Sequence, residues 1–202
     1  IVVVSEDYEG NSFLIRSYDE GKSWSMPFSI FPRSTVSNTI VNKANPEIIQ
    51  LKNGDILVAC KYRPVIEERT PFAIAIRKSR DNGETWDDEK VVYEAQPRFR
   101  DGCWEPSFLQ LPDGEVQIYF ANEAKYTNSD EQEISVISSH DNGESWATLK
   151  TVSFRANRRD GMPVARVIND EIVVVIEDNK DDRFKPYTVR CKIGDNWSSP
   201  VL

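Results

Sequence analysis

One eight-residue phrase occurs three times in the chain, at intervals of about sixty residues, and this repetition constrains the fold more than any other feature. The copies are SYDEGKSW, SRDNGETW and SHDNGESW, which begin at Ser17, Ser79 and Ser139. Periodic self-similarity of this kind is typical of repeat architectures, in which each repeat is one supersecondary unit. The sequence therefore predicts stacked copies of a single unit.

A second type of repeated segment contributes a strand, a tight turn and another strand. The copies are NPEIIQLKNGDILVACKYR from Asn45, EPSFLQLPDGEVQIYFANE from Glu105 and MPVARVINDEIVVVIED from Met162. Their turns are Asn53-Gly54, Asp113-Gly114 and Asn169-Asp170. Asn-Gly and Asp-Gly are strong hairpin signals because these residues tolerate positive φ.

Each unit gains a third strand before the eight-residue phrase and a fourth that starts at the tryptophan of the phrase. No segment has convincing helical periodicity, so the sequence predicts an all-β fold, a β-propeller of four-stranded blades. The predicted blades are approximately 1–43, 44–102, 103–159 and 160–202, and the first lacks its A strand. Because a propeller closes by pairing its ends, we expect residues 1–202 to be one domain, with about four blades of a six-bladed ring.

Composition and charge exclude several classes of protein. The net charge of −8 argues against binding to a nucleic-acid backbone, which requires basic patches. No apolar run approaches the roughly 20 residues of a membrane span. The sequence argues against a zinc site and against a Cys–His dyad. Its three cysteines, Cys60, Cys103 and Cys191, are far apart, and it has a single histidine, His140. We expect no metal and no cofactor.

The repeated phrase has a structural interpretation. Asp19, Asp81 and Asp141 can accept backbone N–H bonds within their own turns, and the tryptophans can pack between neighbouring blades. In an antiparallel blade, the A strand starts and the B strand ends at one rim, whereas the C–D turn formed by the phrase lies at the opposite rim. A functional site at the first rim therefore contains no residue of the repeated phrase.

Two glutamates are predicted at the rim where A strands start and B strands end. Glu105 begins an A strand in DGCWEP, and Glu177 ends a B strand in VVVIED of the next blade. Two carboxylates that flank a cleft are what glycoside hydrolysis requires. Glu123 and Asp178 are alternatives in the same zone, and a glutamate at a strand edge is often only a solvated rim residue.

Neighbouring residues suggest roles for the two glutamates. Burial beside Trp104 would raise the pKa of Glu105 and suit it as the general acid. Arg159, Arg63 or Lys61 near Glu177 would keep that carboxyl group ionised. Trp104 is either a sugar-stacking platform or part of the core.

The phrase S-x-D-x-G-x-[ST]-W resembles the Asp box of the sialidase superfamily, also called the BNR repeat. The segments from Asn45, from Gly102 and from Arg158 resemble the family 93 glycoside hydrolases. That resemblance implies a six-bladed propeller that releases arabinobiose from arabinan with retention. It also implies that the Trp-Glu-Pro segment and the strand after the Gly-Met segment carry the catalytic residues, here Glu105 and Glu177.

The chain departs from related patterns at two places. Ala44-Asn45-Pro46 stands where sialidases have their first carboxylate-binding arginine, which counts against a sialidase. The aromatic-Arg-Asn-His stretch of family 93 appears here as Cys60-Lys61-Tyr62-Arg63, so the arabinan specificity does not follow directly.

From the sequence we therefore expect a retaining glycosidase that cleaves a terminal bond of a glycan or polysaccharide. Glu105 would be the general acid/base and Glu177 the nucleophile. The candidate substrate contacts are Lys61, Arg63, Trp104, Arg159 and Tyr187. The expected partner is a carbohydrate, and the class implies a secreted, periplasmic or cell-surface location. The oligomeric state stays open. The alternatives are a non-catalytic propeller that binds a glycan or a protein, and a true exo-sialidase with an arginine cluster in further blades.

Overall fold

In the computed structural model, residues 1–147, 149–179 and 183–199 are described, and they form antiparallel strands and one short 3-10 helix, Phe99–Asp101. The strands are β1 (Val2–Glu6), β2 (Ser12–Arg16), β3 (Phe28–Phe31), β4 (Ser34–Val36), β5 (Thr39–Gln50), β6 (Ile56–Pro64), β7 (Ala73–Ser79), β8 (Lys90–Glu94), β9 (Cys103–Gln110), β10 (Val116–Asn122), β11 (Glu133–Ser139), β12 (Lys150–Ser153), β13 (Asp160–Ile168), β14 (Glu171–Asp178) and β15 (Lys185–Lys192). The all-β prediction is confirmed for these residues.

The strands form four antiparallel sheets in two compact units. Unit 1, Ile1–Arg98, contains sheet I (β1–β3) and sheet II (β4–β8). Unit 2, Phe99–Leu202, contains sheet III (β9–β12) and sheet IV (β13–β15). In every sheet, strands that follow one another along the chain pair with each other, as the hairpin signals predict.

Two details of the sheets differ from the prediction. The short strand β4 pairs with the start of β5, where Ser34 faces Val41, and so gives sheet II a fifth strand that no sequence signal indicated. The strands after the repeated phrase begin at Phe28, Lys90 and Lys150 rather than at the tryptophans. The predicted fourth strand of sheet IV falls in part on residues 200–202, which lie outside the described residues.

Apolar side chains on facing sheets form the cores. In unit 1, Leu14, Ile30 and Phe31 pack with buried residues of β6 and β7, and Trp86 packs against this cluster. In unit 2, every residue of β10 and of β11 is buried, as expected for central strands covered on both faces. Removing this apolar surface from water is the main stabilising contribution to each unit.

Each of β5, β9 and β13 contains the same bulge, which lies in the middle of β5 and near the start of β9 and β13. Two consecutive residues in each strand face a single residue of the partner strand, at Asn45-Pro46, Glu105-Pro106 and Met162-Pro163. The residue before each proline has a positive φ, with values of 48°, 47° and 49°. Positive φ is uncommon for residues other than glycine, so its recurrence shows that the bulge belongs to the repeat.

The repeated phrase closes its turn with side-chain hydrogen bonds. In the second copy, Oδ1 of Asp81 accepts from the backbone N of Thr85 at 2.9 Å and from Oγ of Ser79 at 2.8 Å. Trp86 Nε1 donates to the carbonyl of Gly83 at 3.0 Å. The hydroxyl of Thr85, its backbone N–H and Ser79 lower the pKa of Asp81 to about 2. Here the aspartate acts as a turn-stabilising acceptor.

Candidate functional site

Glu105 and Glu177 both lie in unit 2, at the ends of neighbouring sheets. Glu105 occupies the bulge near the start of β9, and Glu177 lies near the end of β14, where it pairs with Gly161 of β13. The strands β9 and β13 pack against each other, so both residues belong to one rim. Glu177 is exposed, and Glu105 is partly buried.

Gly161 leaves space beside Glu177. A methyl group at Gly161 would lie 3.9 Å from Oε2 of Glu177 and 3.0 Å from Nε2 of Gln132. A larger side chain at this position would therefore press on the amide of Gln132 and approach the carboxylate.

Glu123 is a buried carboxylate beside Trp104, with a relative exposure of 1%. Its Oε2 accepts a hydrogen bond of 2.6 Å from Nε1 of Trp104, and its Oε1 accepts one from Nη2 of Arg159. Burial raises the pKa of Glu123, and the bonds from Trp104 and Arg159 offset part of this rise. The carboxylate thus fixes the indole of the residue that directly precedes Glu105.

A second ionic cluster fixes the strand ends beside Glu177. Arg155 donates through Nη1 to Oδ2 of Asp178 at 3.1 Å and through Nη2 to Oδ1 of Asp160. Ser153 also donates to Oδ2 of Asp160 at 2.6 Å. Burial opposes the charge of Arg155, yet Asp160 and Asp178 raise its pKa. Arg155 therefore ties the start of β13 to the end of β14.

Gln132 connects the two clusters. Its Oε1 accepts from Nη2 of Arg159 at 3.0 Å, and its Nε2 donates to the carbonyl of Asp160 at 2.8 Å. We call the connected set the rim network. It comprises Trp104, Glu123, Arg159, Gln132, Asp160, Arg155 and Asp178. The network runs from the residue before Glu105 to the residue after Glu177.

The predicted substrate contacts divide between the units. Trp104, Arg159 and Tyr187 lie at the rim of unit 2, whereas Lys61 and Arg63 lie on β6 of unit 1. Trp104 is 7% exposed, which favours the core alternative. Arg159 was one of three cations expected near Glu177, and its guanidinium bonds to Glu123 and Gln132.

Tyr187 is the more accessible of the two aromatic residues predicted to contact the substrate. It is 45% exposed, and the guanidinium carbon of Arg155 lies 4.8 Å from the centre of its ring. Tyr187 lies on β15, opposite Ile176 of β14 and next to Pro186, which pairs with Glu177. Because successive side chains of a strand point to opposite faces, Tyr187 shares a face of sheet IV with Ile176 and Asp178, opposite to that of Glu177.

The strand registers reveal an equivalence that the sequence did not suggest. Lys61 pairs with Ala44, Ala121 with Trp104, and Glu177 with Gly161, in each case with the residue just before the bulge. Lys61 and Glu177 thus occupy the same position in sheets II and IV. Lys61 is buried and Arg63 is exposed.

Sequence reasoning missed Gln132, Arg155 and Asp160 as members of the site. The basic run from Arg155 to Arg159 and the adjacent Asp160 were the only signals available. Nothing in local periodicity indicates that Gln132, which lies in the loop before β11, meets them.

No group of three or more histidine, cysteine, aspartate or glutamate side chains is placed to hold a metal ion in residues 1–147, 149–179 and 183–199. The described part of the chain contains no helix with the length and apolarity that a membrane crossing requires.

The fold is shared with carbohydrate-active enzymes. The alpha-L-arabinofuranosidase of Fusarium graminearum in complex with an iminosugar inhibitor superimposes with a TM-score of 0.75 at 19% identity, covering 95% of this chain and 58% of that chain. The alpha-L-arabinanase of Penicillium chrysogenum complexed with arabinobiose gives 0.70 at 19% identity, covering 94% and 58%. A Hadza microbial sialidase gives 0.64 at 15%, covering 92% and 39%. At these identities, the likeness concerns the fold.

The chain belongs to the family of BNR repeat-like domains, whose model matches residues 1–202. This match confirms the resemblance to the sialidase superfamily that the repeated phrase indicated. No curated protein matches the chain. The chain spans 58% of the length of the arabinofuranosidase described above.

Proposed function

We propose that the chain is part of a β-propeller glycoside hydrolase in which Glu105 and Glu177 are the catalytic carboxylates. Each of the four sheets would be one blade, and the whole ring would have six. The observation that supports the proposal is that Glu105 lies near the start of β9, that Glu177 pairs with Gly161 near the start of β13, and that β9 and β13 contact each other.

In the proposed reaction, Glu177 attacks the anomeric carbon and Glu105 protonates the leaving oxygen. The glycosidic bond breaks as a covalent glycosyl-enzyme ester forms at Glu177. Glu105 then takes a proton from water, which attacks the ester and releases the sugar with retained configuration. The exposure of Glu177 supports its role, since a nucleophile must be reachable by the substrate.

The substrate class we favour is a neutral terminal sugar of a polysaccharide, such as arabinose. Recognition of a sialic acid carboxylate requires arginines with free donors. At the described rim of unit 2, Arg155 is bound to Asp160 and Asp178, and Arg159 is bound to Glu123. The two arabinan-degrading enzymes superimpose with TM-scores of 0.75 and 0.70, against 0.64 for the sialidase, which supports the same choice. We further propose a secreted, periplasmic or cell-surface location.

The test is hydrolysis of a panel of aryl glycosides, arabinan oligosaccharides and sialosides by the full-length natural protein. We expect Glu105→Gln and Glu177→Gln each to lower kcat by at least about 100-fold, since acid–base catalysis contributes 10²–10⁴-fold. Glu171→Gln is a matched control because Glu171 lies at the other end of β14 on the same face as Glu177. This control should keep its activity.

The second candidate is a non-catalytic propeller that binds glycans through the same rim. The half-exposed Tyr187 favours it, because an accessible aromatic ring beside the guanidinium of Arg155 also suits sugar binding. Binding to a glycan by wild type, with no turnover of any panel member, would establish this alternative and overturn the hydrolase.

A further inference from the structure

Glu123 is a buried carboxylate that the proposed reaction does not use. It follows the last residue of β10, and its two oxygens accept from two different donors, Trp104 and Arg159. Its exposure of 1% excludes direct contact with a sugar. Burial of a carboxylate is costly unless it is paired and hydrogen-bonded, so the arrangement needs both donors in place.

Both partners of Glu123 connect to the proposed catalytic residues. Trp104 directly precedes Glu105 on β9, and its ring lies 4.8 Å from the ring of Phe99. Arg159 directly precedes Asp160, the first residue of β13, and also bonds to Gln132. Gln132 in turn donates to the carbonyl of Asp160, next to Gly161, which pairs with Glu177.

We propose that Glu123 is a positioning residue for this site, which holds Trp104 and thereby the bulge that carries Glu105 at a fixed separation from β13 and β14. The inference rests on the proposed function, because it concerns the geometry of the same two carboxylates. Retaining enzymes need their carboxyl groups about 5–5.5 Å apart. Small displacements of a reacting group, of about 1 Å, can cost about 100-fold in rate.

The chemistry of Glu123 makes an amide a poor substitute. Trp104 Nε1 and Arg159 Nη2 are both donors, and a carboxylate accepts from both. A glutamine has one acceptor oxygen and one donor amide, so it can satisfy only one partner and opposes the other. Glu123→Gln therefore releases either the indole or the guanidinium while the volume stays the same.

The experiment compares Glu123→Gln with Glu115→Gln in the full-length natural protein. Glu115 directly precedes β10, at the opposite end of the strand from Glu123. It is also buried and accepts from two donors, Gln117 and Asn196. Both variants lose one acceptor in unit 2, but only one of them touches the rim network.

The readout is kcat and KM for two aryl glycosides with good and poor leaving groups. We expect Glu123→Gln to lower kcat at least about tenfold with KM changed less than about threefold, since the change affects geometry at the reacting bond. The loss should be larger with the poor leaving group, which needs protonation by Glu105. The Glu115→Gln protein should match wild type with both substrates.

Equal kcat for Glu123→Gln and Glu115→Gln, with an active wild type, would overturn this inference and leave the proposed function standing. An equal loss with both leaving groups would also overturn it, because a general weakening of the fold would produce that pattern. An inactive wild type would contradict the proposed function and this inference together. If Glu123→Gln does not fold, Trp104→Phe tests the same link, and it should show the same dependence on the leaving group.

Discussion

Glu105 occupies in β9 the same bulge position that Met162 occupies in β13, and their φ angles are 47° and 49°. Asn45 has the equivalent position and a φ of 48° in β5. The same bulge therefore recurs in three strands and gives three different residues the same backbone conformation. In sheet III the residue on it is Glu105, the carboxylate that we propose as the general acid/base.

The positive φ of Glu105 predicts that a substitution by glycine at this position does not destabilise the protein. A left-handed conformation costs about 1–2 kcal/mol for an ordinary residue, and glycine avoids that cost. We expect Glu105→Gly to leave the free energy of unfolding unchanged or to raise it by up to about 1 kcal/mol. Thr188→Gly, in the regular ladder of β15, should lower it by about 1 kcal/mol. Urea unfolding measures both, and a larger loss for Glu105→Gly would contradict the bulge.

The contacts of Gly161 predict that a larger residue at this position disturbs the site beside Glu177. A Cβ atom there would lie 3.0 Å from Nε2 of Gln132, so that Gly161→Ala must displace the amide that bridges the rim network. We expect kcat to fall about tenfold, with a loss of unfolding free energy of about 1–2 kcal/mol. Steady-state kinetics and urea unfolding test this together. Full activity of Gly161→Ala would show that the space beside Glu177 is not needed.

Trp197, which follows β15 in unit 2, is expected to contribute strongly to stability. Trp197 is 2% exposed, and its Nε1 donates to the hydroxyl of Tyr119 at 2.8 Å. We expect Trp197→Ala to lower the free energy of unfolding by about 3–5 kcal/mol, the usual cost for a buried aromatic side chain. Trp24, in the first copy of the phrase, is 42% exposed, so Trp24→Ala should lower the free energy of unfolding clearly less. Equal losses in urea unfolding would contradict the assigned burial.

The turns of the repeated phrase predict acid sensitivity. Bonds from Ser23 and Thr85 lower the pKa values of Asp19 and Asp81 to about 2, against a usual value of 3.8. Because the folded protein binds fewer protons at these groups than the unfolded chain, their stabilising contribution is complete above about pH 4. It is lost as the pH falls towards 2.

Thermal unfolding at several pH values checks this expectation with Asp81→Asn. The variant should have a lower Tm than wild type at pH 6, and the difference should shrink between pH 4 and pH 2. Asp130→Asn, at an exposed carboxylate outside the phrases, is the control and should follow wild type. A difference in Tm between Asp81→Asn and wild type that does not depend on pH would contradict the role of the ionised carboxylate.

The sequence predicted the features that depend on local patterns. Strand alternation and turn residues placed Glu105 at the start of β9 and Glu177 at the end of β14, and the structure has both there. The strand β4 has only three residues, too few for a periodic signal. Gln132 and Arg155 could not be assigned, because their roles depend on hydrogen bonds between segments that are distant in sequence.

The most direct test of the central claim is covalent trapping of the glycosyl-enzyme in the full-length natural protein. An activated 2-deoxy-2-fluoro glycoside of the preferred sugar should inactivate the enzyme, and peptide mapping by mass spectrometry should place the adduct on Glu177. Glu177→Gln should take no label, and Glu105→Gln should label more slowly. An adduct on any other carboxylate, or hydrolysis with inversion and no adduct, would contradict the account.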